Sequence, residues 1–259
     1  MDWFFDLPIA VMALVSLIAS YVVAGIIYLV VTRLAVGERA RAFKSISAGM
    51  LSPLAIVFAL LVGFLAAQVW SDADRANTAV NREASALRAA VLLSDQFPGD
   101  AQTRLHALIR QHIETAVKDE WPAMARRGAT LTLVPAALAD ALGVTLSLEP
   151  HGAGQALAQR ELVLALQNAL DARRQRIVLS GSSVNAVKWG ALLAQAVLIL
   201  LTIAMVHCDN PMANRIILGV FATGAAAAVM LIAAHSRPFS GAIAIRPALL
   251  QQVMPEEHE

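Results

Sequence analysis

The chain has 259 residues, with 20 Lys and Arg against 19 Asp and Glu, a formal charge of +1, 58% hydrophobic residues and a mean hydropathy of +0.63. That apolarity exceeds an ordinary soluble domain and places the chain among membrane proteins, while near-neutral charge argues against nucleic-acid binding. The single cysteine, Cys208, excludes an intramolecular disulfide.

Leu7 to Thr32 carries no charge and exceeds the roughly 20 residues that span a bilayer, so 7–32 reads as a first transmembrane helix. No Lys or Arg precedes Arg33, which favours a retained helix over a cleaved leader. Trp3, Phe4 and Phe5 are expected at one membrane interface, and Pro8 in the first turn, where its missing N–H costs little. Ser16, Ser20 and Ala24 recur every four residues and form a small-residue stripe for helix packing. Arg33, Arg39, Arg41 and Lys44 then face Glu38 alone. A headgroup or ligand patch and a solvated turn both fit; charge is normal beside membrane ends, which favours the turn.

The organising stretch runs from Ser52 to Leu93. SPLAIVFALLVGFLAAQVW is apolar from Leu54 to Trp70 except for Gln68, and nothing after Gly63 breaks a helical reading until Pro98. One long helix is expected, leaving the membrane near Trp70, with 46–70 as the second span and Gly49 and Pro53 blurring its start. Ala59, Gly63 and Ala67 form a small stripe suited to close packing, and Ile56, Leu60 and Phe64 a large apolar stripe about 100° away.

From Ser71 to Lys188 no segment is long and apolar enough to span, and 71–188 is expected to be a helical extramembrane domain. Helical spacing places Val80, Ala84, Leu87 and Val91 on one face, and Leu105, Leu108, Ile109, Ile113 and Val117 on another. Pro135 to Leu142 reads as a short helix ended by Gly143, and Ala153 to Leu179 as a long one carrying Leu157, Glu161, Leu164, Leu166 and Leu170. TLTLV at 130–134 and VTLSL at 144–148 alternate like strands, but PAALADAL between them looks helical. Glu120-Trp121-Pro122 reads as a helix-ending turn.

Two further spans, 189–206 and 216–234, form a closing hairpin (189–234) around a turn at His207–Pro211, with Gly219–Thr223 and Gly224–Ala228 as small-residue contacts. A polar tail, 235–259, follows. The fold class is therefore an all-α integral membrane protein: a hairpin at 1–70, the helical domain between the second and third spans, and the second hairpin. The four spans contain no Asp, Glu, Lys or Arg, which disfavours an ion-coupled transporter. Four spans put both termini and 71–188 on one side. Basic residues on that side, from Arg75 to Arg246, outweigh the opposite side, where Arg215 joins the first loop; this favours a cytoplasmic domain.

No HExxH, phosphate-binding Gly-rich loop or metal-spaced Cys/His cluster is present, so no enzyme, catalytic residue, metal or cofactor is expected. His106 and His112 lie six apart and do not share a helix face, HGAG at 151–154 reads as a linker, and Cys208 as a small hydrophobe.

The ordered set SPLAIVFALLVGFLAAQVW with NREASAL, KDEWPAM, LDARRQR and SRPFSG resembles the bestrophin-like domain family, membrane proteins of unknown function distantly similar to bestrophin anion channels. The resemblance implies a protein of the bacterial inner (plasma) membrane, a lipid-embedded homo-oligomer, pentameric by analogy, passing small anions through an apolar neck on the second helix. Ile56, Leu60 and Phe64 would line that neck, the alternative being a lipid-facing apolar column, while Ala59, Gly63 and Ala67 would pack the helices. LVGF at 61–64 looks like the start of the neck segment. Pro238 and Phe239 match the bestrophin segment after the last span, but Ser240 precedes Gly241 and Arg246 stands where acids would follow. The remaining close carboxylates are Glu256, Glu257 and Glu259, so calcium is not expected as a ligand. The alternative is a non-conducting scaffold or regulatory protein that binds a partner through its helical domain.

Overall fold

A computed structural model describes residues 4–5, 7–129, 131, 135–241 and 243–256, the Lys44 side chain excepted. Among the described residues ten α-helices run in order: α1 Ile9–Leu34, α2 Glu38–Lys44, α3 Leu51–Ser94, α4 Asp100–Thr115, α5 Trp121–Ala125, α6 Ala136–Leu146, α7 Ala153–Ser180, α8 Ala186–Val206, α9 Pro211–His235 and α10 Ala248–Gln252. A 3₁₀ turn, Ala48–Met50, precedes α3, and a π turn, Ala116–Glu120, joins α4 to α5. Among the described residues there is no strand. By length and composition α1, α3, α8 and α9 are able to cross a membrane, and the protein is an all-α integral membrane protein.

The chain forms two compact units. The first comprises the described residues up to Ser71, with Ser183–Arg237 and Gly241–Ile243. Here α1 packs on α9 and α8, burying Met12, Ser16, Ala24, Ile27 and Val31, so two members of the Ser16–Ser20–Ala24 stripe lie in the packed face. The Tyr21 hydroxyl and Thr223 Oγ1 are hydrogen-bonded at 2.9 Å, with Gly219 against the Tyr21 ring. Gly224 is open; the buried small face of α9 is instead Ala222, Ala225, Ala226 and Ala233. The first helix begins after Pro8, which stands at its cap. The helix α9 starts at Pro211, because the Asn210 side chain accepts from Ala213 N at 3.1 Å and Pro suits a first position. Helix α3 tolerates Pro53 for the same reason, two residues after its start.

The helices outrun the charge-free spans. Arg33 lies in the last turn of α1, Lys188 in the first turn of α8 and Arg215 near the start of α9. Lys188 Nζ donates to Gln68 Oε1, a polar pair at the end of the α3 span beside Trp70. Trp70 meets His235 edge-on at 6.3 Å, and Phe5 lies 6.4 Å from Trp189 with the Arg237 guanidinium 4.3 Å over its ring. Gly241 adopts φ +84°, and a Cβ there would sit 2.9 Å from the Phe5 carbonyl oxygen, so both backbone and space demand glycine. Trp3 lies outside the described residues.

The second unit comprises Asp72–Ser182, Pro238–Ser240 and the described residues from Ala244 onward. Its core gathers Val80, Leu87, Leu105, Ile109, Ile113 and Leu138 with Leu162, Leu166, Phe239 and Leu250. The helical stripes expected on α3 and α4 therefore point inward.

Three local expectations are overturned, while the helical reading of PAALADAL prevails over the strand-like alternation beside it. VTLSL is not a strand: Val144–Leu146 belong to α6 and Ser147 follows in a turn, while Thr130 and Thr132–Val134 lie outside the described residues. Gly143 does not end α6, because extension buries Thr145 and the Gln159 side chain donates to the Thr145 and Leu148 carbonyls at 2.9 Å, satisfying the helix end. Glu120-Trp121-Pro122 does not end a helix either. The π turn precedes Pro122, and the helical path continues to Ala125; a widened turn accommodates the proline ring. On α7, Leu157, Glu161 and Leu164 are exposed, and the inner face is Leu162, Ala165, Leu166, Ala169, Arg173, Arg176 and Ile177.

The core assignment has a direct check. Leu87→Ala should destabilise the protein by about 2–5 kcal/mol, as expected for a fully buried leucine, whereas Leu92→Ala, at a 59% exposed position, should change it by less than about 0.5 kcal/mol. Thermal unfolding in detergent reads both.

Candidate functional site

The proposed pore residues lie on the membrane part of α3, in the first unit. The helix buries Leu65, Ala66 and Val69 against its own chain and packs Leu54, Phe58, Leu61 and Val62 beside them. The opposite faces are bare. Ile56 is 57% exposed, Leu60 55% and Phe64 72%. Ala59, Gly63 and Ala67 are exposed too, and a Cβ at Gly63 would meet nothing within 4 Å. Of the four membrane helices α3 is the least covered: 11% of its most apolar window is buried, against 22% for α1 and 33% for α8 and α9. Neither stripe therefore packs within one chain, and both are available to lipid or to another copy.

The second unit holds an ionic network that the sequence reading passed over. Apart from His112 on α4, its parts and the aromatic wall beside it come from the quoted segments. NREASAL supplies Glu83 on α3, KDEWPAM supplies Glu120, Trp121 and Met124, LDARRQR supplies Arg173 and Arg176 on α7, and SRPFSG supplies Phe239. Arg176 has no exposed surface. Its Nε donates to Glu83 Oε2 at 2.7 Å, and its Nη2 donates to Glu83 Oε1 at 3.0 Å and to Glu120 Oε2 at 2.8 Å. The second carboxylate oxygen of Glu120 accepts from Arg173 Nε at 2.7 Å. His112 Nε2 completes the set, 3.0 Å from Glu83 Oε1.

An aromatic wall closes the network. The Arg176 guanidinium carbon lies 4.7 Å from the Trp121 ring centroid, and Met124 Sδ lies 3.5 Å from Arg176 Nη1. Trp121 meets Phe239 edge-on at 5.8 Å and donates its Nε1–H to the Ile245 carbonyl at 3.0 Å. The π turn supplies one acid of the network, Glu120, at its last position. His106 has other partners, Ser94 Oγ at 2.9 Å and Asp95, so the two histidines are separate core contacts. Among the described residues no three His, Cys, Asp or Glu side chains gather as for a metal; Glu257 and Glu259 lie outside those residues.

Electrostatics follow from this geometry. Burial pushes the Glu83 carboxyl upward, but the Arg176 charge and hydrogen bonds from His112 and Arg176 outweigh it, and the group sits below the usual carboxylate range. Burial likewise pulls Arg176 down, and Glu83 and Glu120 more than restore it. Two open spaces flank the network's helices. A groove of about 760 Å³ runs between α3 and α7, lined by Asn81, Arg82, Glu161, Asn168, Asp171 and Gln175 among others. A smaller one of about 420 Å³ reaches His112, Glu120 and Arg173.

Glu83→Gln should destabilise the protein by about 3–5 kcal/mol at pH 7, since it leaves buried Arg176 short of a counter-charge. Because folding lowers the Glu83 value, its contribution is full above the ordinary glutamate value of about 4.3 and is lost as pH falls through the lower folded value. The wild-type melting temperature should fall over that acidic window, and the variant should lose that part of the dependence.

A family model matches most of the chain. The sequence model of the Bestrophin-like domain matches residues 18–250. No curated protein matches the chain. Among solved structures, a singly substituted bacterial Bestrophin homolog from Klebsiella pneumoniae superposes with a TM-score of 0.69 at 13% identity, covering 93% of this chain and 96% of that one. A second variant of that homolog gives 0.68 at 14% identity, covering 95% and 97%. A crystal structure described as a membrane protein, also a single-site variant, gives 0.68 at 16% identity, covering 92% and 96%. At such identities the likeness speaks for the fold, while the sequence match carries the membership: this chain belongs to the Bestrophin-like domain family.

Proposed function

We propose that the protein is a homo-oligomeric, bestrophin-type ion channel with a preference for small anions, and that α3 lines its axis. The observation that carries this is the bareness of α3. The helix with the least cover from its own chain presents a large apolar column, Ile56, Leu60 and Phe64, beside a small column, Ala59, Gly63 and Ala67. Copies arranged around an axis pack through the small column, where backbones approach closely, and turn the large column inward. A ring of such side chains is narrow and dry, and gates by excluding water until it widens. Five copies follow from the bestrophin resemblance. In this reading residues 1–70 and 189–234 are the two membrane hairpins, 71–188 is a cytoplasmic helical domain, and the channel sits in a bacterial inner membrane.

A second reading rests on the groove between α3 and α7. Its lining of amides and charges of both signs suits a polar partner, as a non-conducting scaffold or regulatory protein requires. Ion flux separates the two readings.

In vesicles reconstituted with purified protein, Phe64→Ala and Leu60→Ala should raise anion flux by roughly tenfold or more if the column is the barrier. Unchanged flux would leave the column facing lipid, and no flux from any variant would favour the scaffold. Orientation is tested by one engineered cysteine in a Cys208→Ser background. Ser147 is exposed and suitable, whereas Ser94 is fully buried. Ser147→Cys should resist membrane-impermeant maleimide added outside intact cells and react after lysis.

A further inference from the structure

One end of the first unit is unusually basic and is built from three separate stretches. Val31 near the end of α1, Phe43 on α2, and Met205 and Cys208 at the end of α8 share one apolar cluster. That cluster draws together the last turn of α1, the short helix α2 and the α8–α9 turn. The connection at 33–44 is thus no free turn: α2 packs against α8 through Phe43. On the outside of these elements Arg33, Arg39, Arg41 and Arg215 are exposed. The acidic residues in the same stretches are Glu38 and Asp209.

Apolar side chains surround the arginines. Val36 is 70% exposed, Met212 64% and Ile216 56%, and Leu34 is also exposed beside Arg33. A soluble anion site has no use for these groups. A membrane surface uses both kinds: apolar side chains enter the acyl boundary while arginines reach the phosphates with paired N–H donors. We propose that this end of the first unit is an anionic-phospholipid contact, in which Arg39, Arg41 and Arg215 hold headgroup phosphates and Val36 and Met212 anchor among the chains.

The test counts lipids retained by the full chain. Purified protein in a neutral detergent is mixed with phosphatidylglycerol or phosphatidylcholine and examined by native mass spectrometry. The unaltered protein should retain phosphatidylglycerol selectively, and less so as salt rises. The combined variant Arg39→Gln, Arg41→Gln, Arg215→Gln should weaken that retention on the order of 100-fold. A control removing exposed arginines of the second unit, Arg88→Gln, Arg104→Gln and Arg160→Gln, should leave it intact. Equal retention of both lipids, salt-independent retention, or an unaffected triple variant would overturn the proposal. Displacement of the lipid by inorganic phosphate would also overturn it, by making the patch a soluble-anion site. The measurement is independent of conduction, so a failed flux experiment leaves it standing.

Discussion

A buried arginine needs its counter-charges on all sides at once, and Arg176 sets the terms for the second unit. A guanidinium without solvent is tolerable only when each donor has an acceptor, here two carboxylates, a thioether and the face of an indole. Glu83 must therefore stand at one height on α3, Glu120 at the end of the π turn and Arg173 one turn earlier on α7. An apolar contact tolerates sliding; this one does not, because a shift of one residue strands a charge. The network thus fixes register between elements whose remaining contacts are mainly apolar. Trp121 extends the constraint to the chain after α9, through Phe239 and the Ile245 carbonyl.

The first unit is held differently. Its packed faces set small residues, Ala24 on α1 and Ala222, Ala225 and Ala226 on α9, among larger ones such as Ile27, Val31 and Leu218, with a hydroxyl pair between Tyr21 and Thr223. Such surfaces associate through close backbone approach rather than through apolar burial, since lipid is as apolar as the partner helix. Arg33, Lys188 and Trp189 sit in end turns of their helices and Trp70 where the apolar part of α3 gives way to its polar part, which keeps the interior of each span free of charge while polar groups remain near water.

The sequence displayed the membrane helices plainly, because length and freedom from charge are one-dimensional properties. The continuous path of α3 through Trp70 was equally legible from the lack of a breaker before Pro98. The inner face of α7 was not. It mixes alanine with two arginines, so apolar spacing selected Leu157 and Leu164, which are exposed, together with Leu166 and Leu170, which do pack on the core. The ionic network was hidden for another reason: Arg176 lies 93 residues from Glu83 and 56 from Glu120, and no local pattern links them. Pairing is what makes these charges part of the core. The one available signal was that the family-like segments NREASAL, KDEWPAM, LDARRQR and SRPFSG each carry a member of it.

The pairing of α1 with α9 bears on how the chain is made. These helices are near neighbours in space, yet α1 comes first and α9 last in chain order among the four spans. Gly241 against the Phe5 carbonyl repeats the arrangement just beyond both helices. During synthesis α1 must wait in the bilayer, with Ser16 and Tyr21 facing lipid, until Thr223, 202 residues after Tyr21, has been translated. Closing so long a loop makes completion of this unit a late event, and a prematurely terminated chain leaves an unpartnered small-residue face on α1, the kind of surface that membrane quality control can recognise.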